Sequence, residues 1–264
     1  MDDLLERFRL TGKAAVVTGA GRGIGAAVAR ALAVAGADVA LTARTPEQLD
    51  AVADDIRGAG RRAVVVPGDV NDTDVLARLV DTTMAELGRV DIVVNNAGGT
   101  APRPFLDTSE GYLERSFHFN VTTAFALTKH AVPHMLAGEG GAVVNISSAM
   151  GRLRDRGFVA YGTAKAALAH MTRLMAADLA PRVRVNGIAV GSVATSALET
   201  VLGDDAIRDE MVRRTPLRRL GEPEDIALCA VYLSSPAASF VTGKIVEVDG
   251  GLEEANLALG LPDL

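Results

Sequence analysis

The chain has 264 residues, 48% of them hydrophobic, with 27 basic against 33 acidic side chains and a net charge of −6. That apolar content suits a packed core, no uncharged apolar run reaches the ~18 residues of a membrane span, and no long basic run offers a track for nucleic acid. Met1 to Leu10 carries Asp2, Asp3 and Glu6 where a secretory signal has its basic region, so a cytoplasmic location is expected.

Short apolar runs rich in valine alternate with alanine- and leucine-rich stretches. Strands are predicted at 14–18, 39–43, 63–68, 91–98, 142–148, 183–190 and 244–248, and helices at 24–36, 46–59, 72–87, 111–137, 159–180 and 223–235. Strands without polar alternation, separated by helices, imply a parallel sheet covered on both faces. The expected architecture is α/β: one Rossmann-type, doubly wound parallel sheet of about seven strands, in a single domain over 1–264. The alternation breaks at 191–222, which reads as a mobile lid beside the strand ends or as a plain surface excursion. Cys229, the one cysteine, reads as an apolar filler. His130 and His134 share a helix face but have no evident third ligand, so no metal is expected.

Thr18-Gly19-Ala20-Gly21-Arg22-Gly23-Ile24-Gly25 joins the first strand to the first helix. Glycines there permit a tight turn and close backbone approach, and the helix N-terminus favours a pyrophosphate. No Lys-Ser or Lys-Thr follows, which disfavours a nucleoside-triphosphate loop. At the end of the second strand, where an NAD site usually places a carboxylate, the chain has Ala43 followed by Arg44. Arg44 and Arg22 suit a 2′-phosphate, so NADP(H) is the expected cofactor, with NAD(H) as the alternative.

Tyr161 and Lys165 are four apart in a helical stretch and lie on one face. Ser148 ends the fifth strand, and Asn120 comes from the long helix before it. With TGAGRGIG, NNAG at 95–98, Asn120, Ser148 and YxxxK in this order, the chain resembles the short-chain dehydrogenase/reductase family from about Leu10 to Leu252. Within it, NNAGG, TPLRRLGEPEDIA, SPAASFVTGK and VDGG look most like the 7α-hydroxysteroid-dehydrogenase-like and general carbonyl-reductase members.

The resemblance implies a catalytic set of Asn120, Ser148, Tyr161 and Lys165. Tyr161 would be the general acid of ketone reduction and the base of alcohol oxidation, Ser148 would hold the substrate oxygen, and Asn120 would hold a water linking Lys165 to solvent. Lowering a phenol by three units from about 10 takes roughly 4 kcal/mol, much of it expected from the Lys165 charge together with the positive nicotinamide of the oxidised cofactor. Lys165 would also hold the nicotinamide ribose. Cofactor contacts implied by the same matches are Gly19, Arg22, Gly23, Ile24, Gly25 and Arg44 in the turns, Asp69 and Val70 at the adenine, Asn96 and Gly98 beside the ribose, and Val193 and Thr195 at the carboxamide. Val190-Gly191 replaces the family's usual Pro-Gly, which removes a fixed φ before Thr195.

A small lipophilic ketone, secondary alcohol or steroid is the expected substrate. The alternative is a 3-oxoacyl group on carrier protein or CoA, although LAGEGGA and LMAADLA lack the basic docking residues of carrier-protein reductases. An idle NADP(H) sensor is the alternative of another class. Arg152, Arg154 and Arg156 hint at an anionic substrate or form a solvated loop. The apolar tail NLALGLPDL would pack on a neighbouring subunit, family members being commonly tetramers, or fold over its own cleft.

Overall fold

In the computed structural model of the chain, residues 4–195, 204–257 and 260–261 are described. The strands are β1 (Ala14–Thr18), β2 (Asp38–Thr42), β3 (Ala63–Val65), β4 (Ile92–Asn95), β5 (Gly141–Ser148), β6 (Val183–Val190) and β7 (Ile245–Val248). They form one sheet in the order β3-β2-β1-β4-β5-β6-β7 with every neighbour parallel. β1, β2 and β4 bury every residue, which explains their unbroken apolar runs. The chain steps outward from β1 to β3, then returns to lay β4 against the other side of β1. That reversal opens a crevice at the carboxyl ends of β1 and β4.

Helices α1 (Gly23–Val34), α2 (Pro46–Gly58), α3 (Thr73–Leu87), α4 (Glu110–Phe117), α5 (Thr123–Ala137), α6 (Val159–Leu179), α7 (Asp205–Arg214) and α8 (Pro223–Ser234) complete the fold. Their ends follow local chemistry. Asp72 caps α3 by accepting from Asp74 N at 3.0 Å, and left-handed Gly88 stops it. Pro223 opens α8, where Glu222 and Asp225 form a capping box. Val28 and Leu32 of α1 pack with Ile226 and Leu233 of α8 on one face of the sheet. Leu79 of α3, Leu127 of α5 and Met175 of α6 cover the other. Each such side chain taken from water contributes about 1.5–3 kcal/mol. Cys229 is half-buried against the first cluster, and burial pushes its thiol up to about 11, so it packs as an inert group.

Two expectations need correction. The helix predicted over 111–137 is interrupted by a π turn at His118–Thr122. There Asn120 Nδ2 donates to the Ser116 carbonyl at 2.9 Å, competing with the backbone ladder for that acceptor. The stretch 191–222 holds helix α7, capped by Asp204, which a periodicity reading misses because Met211 is its one buried side chain. Residues 196–203 of the expected lid lie outside the described residues. Among the described residues no helix is long and apolar enough to cross a membrane.

A buried polar ladder crosses the sheet beneath the crevice. Asn95 Nδ2 donates to Asn145 Oδ1 at 2.8 Å and to Thr128 Oγ1 at 3.1 Å, and Asn145 Nδ2 donates to Thr172 Oγ1 at 2.8 Å. It fixes α6 against β5, two turns from Lys165 on the same helix. Asn145→Ala leaves donors and acceptors unanswered at both neighbours and should cost about 2–4 kcal/mol. Urea unfolding would measure it, and a loss within experimental error would deny the ladder a structural role.

Candidate active site

The cleft of about 670 Å³ runs from Arg44 past the glycine turn to Ser148, Tyr161 and the C-terminal segment from Leu252 to Leu257. Gly19 (φ 63°) and Gly23 (φ 54°) take left-handed conformations that make the turn. Gly25 is needed for contact: a Cβ there would fall 2.2 Å from the Gly19 carbonyl oxygen. Arg22, extended before α1, offers no side-chain cap, and Arg22, Gly23 and half-buried Ile24 line the cleft. Thr18 Oγ1 accepts the amides of Asn96 and Ala97, both at 3.0 Å, while Asn96 Nδ2 donates to the Thr18 and Gly19 carbonyls at 2.9 and 3.2 Å. Asn96, expected beside the ribose, therefore commits its amide group to holding the turn against β4.

At the far end of the cleft stand Ala43, Arg44, Arg22 and Gln48. Both arginines are exposed, and neither has an ion-pair partner among the described residues. Asp69 and Val70 line the neighbouring wall. Val70 is buried, and Asp69 Oδ1 accepts from Asn71 N at 3.0 Å, which shapes the turn. Glycines that a Cβ would block and arginines without counter-charges fit a nicotinamide dinucleotide.

The strand end Ile146-Ser147-Ser148 meets α6 residue by residue. The Ile146 carbonyl accepts from Lys165 Nζ at 2.9 Å. Ser147 Oγ donates to the Lys165 carbonyl at 3.0 Å. Ser148 is hydrogen-bonded to Tyr161 and also accepts from Met150 N at 3.2 Å. Ser147 was missed in the sequence, although the doubled serine at a strand end was a signal that both hydroxyls had work at the same helix.

Burial works against the expected lowering of Tyr161. Enclosure of the phenol raises its pKa above the usual 10, opposed by the bond with Ser148. Lys165, 4% exposed, is itself pulled down by burial to about 8. Its Nζ stands 5.7 Å from the Tyr161 ring centroid, and burial penalises both charged forms.

Asn120 is 1% exposed; Oδ1 accepts from Gly99 N at 2.8 Å and Nδ2 donates to the Ser116 and Gly99 carbonyls. Gly98 separates it from the lysine. A Cβ at Gly98 would lie 2.8 Å from Asn120 Oδ1 and 3.0 Å from Lys165 Nζ, so only glycine lets the two approach.

Beyond β6, the missing proline is compensated. Gly191 N donates to the Val248 carbonyl at 3.1 Å, a Cβ on Gly191 would strike the Asp249 backbone at 2.6 Å, and Val193 bridges to Gly221. Val193 and Thr195 line the cleft beside Gly23. Met150, Leu153, Phe158, Leu252 and Leu257 enclose the end next to Tyr161, so this chain's own C-terminal segment walls its own cleft. Residues 258–259 and 262–264 of the tail lie outside the described residues. Arg152 is exposed but not free: it pairs with Glu247 at 3.0 Å and Asp249 at 2.9 Å and donates to the Leu252 carbonyl. Arg156 donates to the Leu261 carbonyl at 3.0 Å, and Arg154 is exposed. His130 is exposed, and no metal-ligand cluster occurs among the described residues.

A doubly wound sheet with a dinucleotide groove ending on this Ser-Tyr-Lys set defines a nicotinamide-dependent oxidoreductase acting on CH–OH groups. The chain belongs to the short-chain dehydrogenase/reductase family. A family model described as Enoyl-(Acyl carrier protein) reductase matches residues 19–253. An uncharacterized oxidoreductase of Mycobacterium tuberculosis is 60% identical over 99% of this chain and 100% of its own length. A solved 7α-hydroxysteroid dehydrogenase complexed with NADH and 7-oxo glycochenodeoxycholic acid superposes with a TM-score of 0.92 at 40% identity, covering 97% of this chain and 100% of that one. A gluconate 5-dehydrogenase of Burkholderia cenocepacia in complex with NADP and tartrate gives 0.88 at 33% identity, with 95% and 98% covered.

Lys165 titrates near 8 in the folded chain against an ordinary 10.5, so the unfolded chain binds more protons between those values. Its destabilising effect is full below pH 8 and fades as pH rises towards 10.5. Lys165→Met should therefore stabilise the fold at pH 7 by up to about 3 kcal/mol, with the difference shrinking by pH 10. A lower melting temperature at pH 7 would show that the bond to Ile146 outweighs the burial.

Proposed function

We propose that this protein transfers hydride between NADP(H) and a small lipophilic ketone or the corresponding secondary alcohol, steroid-like molecules included. The observation that carries this reading is the meeting of Ser148 and Lys165 with Tyr161 at an apolar end of the dinucleotide groove. Gly19, Arg22, Gly23, Ile24, Gly25, Arg44, Asp69, Val70, Gly98, Val193 and Thr195 would hold NADP(H), which supplies or takes the hydride when bound.

The chain's own groups divide the remaining work. Ser148 Oγ and the Tyr161 hydroxyl, already sharing a hydrogen bond, converge on one acceptor position, that of a substrate oxygen. Burial keeps Tyr161 neutral, the form that can donate a proton to an oxygen gaining charge. Lys165, an ammonium at neutral pH, favours the phenolate left behind. Asn120, in the π turn, keeps the loop at Gly99 in place beside the lysine and gives water a position from which to return the proton. The apolar wall of Met150, Leu153, Phe158 and Leu252 excludes bulk water from the exchange.

Ala43 in place of a carboxylate, with Arg22 and Arg44 beside it, supports NADP(H) over NAD(H). We read 1–264 as one domain, with α7 and its flanks as a lid. Exposed Phe117 and Phe125 around α5, Leu174 on α6, Leu228 on α8 and Phe240 before β7 suit the faces of a homotetramer.

A panel of cyclic ketones, oxo-steroids and acetoacetyl-CoA, assayed with NADPH and NADH, tests the substrate class; turnover of the thioester alone would overturn it. Tyr161→Phe should lose at least a thousandfold in kcat while binding NADPH as before, and retained turnover would remove Tyr161 from the proton's path. Arg44→Ala should weaken NADPH about tenfold or more and leave NADH unchanged, because one charge-assisted contact is lost for the phosphate alone. An unchanged cofactor ratio would reject the 2′-phosphate site.

A further inference from the structure

The C-terminal segment lacks regular structure, yet Asn256 within it is only 3% exposed. Its Oδ1 accepts from Ser192 Oγ at 2.7 Å, and its Nδ2 donates to Thr215 Oγ1 at 2.9 Å and to the Met211 carbonyl at 3.4 Å. A buried primary amide needs partners for both ends, and here they come from two distant segments. Ser192 belongs to the loop leaving β6; Met211 and Thr215 close the end of α7. Thr215 Oγ1 in turn donates to the Met211 carbonyl at 2.8 Å, so the α7 arm is fixed before Asn256 reaches it.

The position of each arm gives the bond its meaning. Ser192 stands between Gly191, locked on Asp249, and Val193, bridged to Gly221. It lines the cofactor groove itself, as do both of these neighbours. On the other side, Leu252, Ala255 and Leu257 flank Asn256 in sequence and wall the substrate end of the cleft. Arg152 fixes only the start of this wall, through the Leu252 carbonyl. Between Leu252 and Leu257, the Asn256 amide is the side-chain anchor to the rest of the chain.

We propose that Asn256 is a positioning residue that links the substrate wall to the cofactor-side loop through Ser192, so that filling the groove at Val193 and Thr195 orders the wall and raises affinity for the ketone. This rests on the reading of the cleft given under the proposed function. Order is transmitted without any new contact: a fixed loop fixes the Ser192 hydroxyl, which fixes the amide and the leucines beside it. The linkage is reciprocal, so the ketone tightens the cofactor by the same factor.

Amide hydrogen exchange over residues 250–257 of the full chain, with and without saturating NADPH or NADH, tests it. In the wild type the cofactor should slow exchange there about tenfold. In Asn256→Ala and Ser192→Ala that slowing should vanish even when the cofactor is saturating. Ser192→Ala leaves the α7 arm intact, so it separates lost coupling from a generally loosened tail. Equal slowing in wild type and variants, or none in the wild type, overturns the proposal. With cyclohexanone and 7-oxo glycochenodeoxycholic acid as probes, both variants should raise KM about tenfold and change kcat less than twofold; a fall in kcat at constant KM also overturns it. If the wild type reduces neither ketone, the proposed substrate class fails, and the exchange measurement still decides the role of Asn256.

Discussion

The site depends on keeping one ammonium group almost wholly out of water. Lys165 Nζ is held by a single main-chain acceptor, the Ile146 carbonyl, while its own carbonyl is held by Ser147. Desolvation of a cation is unfavourable, and a chain can tolerate it only if the surrounding frame is stiff enough to prevent the side chain from swinging outward. The ladder through Asn95, Asn145 and Thr172 supplies that stiffness from below, and the bare face of Gly98 leaves room above. Strand order, helix register and glycine placement can all be understood as ways of putting this charge beside a phenol.

The same frame makes Tyr161 and Lys165 unequal partners. Enclosure opposes charge on both, so the phenol keeps its proton and the amine holds its own less firmly than in water. In the proposed reaction this neutral donor beside a weakened cation would give up its proton, with the Ser148 hydroxyl next to it. Leu252 and Leu257 of the C-terminal segment wall the same end of the cleft.

Much of this was legible in the sequence because it follows from period and spacing. Valine runs marked the strands, the glycine turn marked the first crossover, and the four-residue spacing of Tyr161 and Lys165 marked one helix face. What escaped notice was tertiary. The π turn at Asn120 arises from a side chain competing for the Ser116 carbonyl, which no periodicity encodes. Helix α7 was hidden by its polar surface. Arg152 looked like a free charge because its partners Glu247 and Asp249 are nearly a hundred residues away. The burial that works against the expected fall in the Tyr161 pKa escaped notice because sequence spacing shows a neighbouring charge but not the enclosure around it.

The Arg152 tie has a consequence for engineering substrate preference. The loop that carries Met150, Leu153 and Phe158 is bound through this guanidinium to the end of β7, at the edge of the sheet, and to the Leu252 carbonyl. A graft of residues 149–158 from a relative with another substrate would leave two carboxylates unanswered unless the arginine came with it. The transferable unit is thus two stretches rather than one, residues 149–158 together with 247–257, and chimeras cut between them would exchange specificity for a misplaced wall.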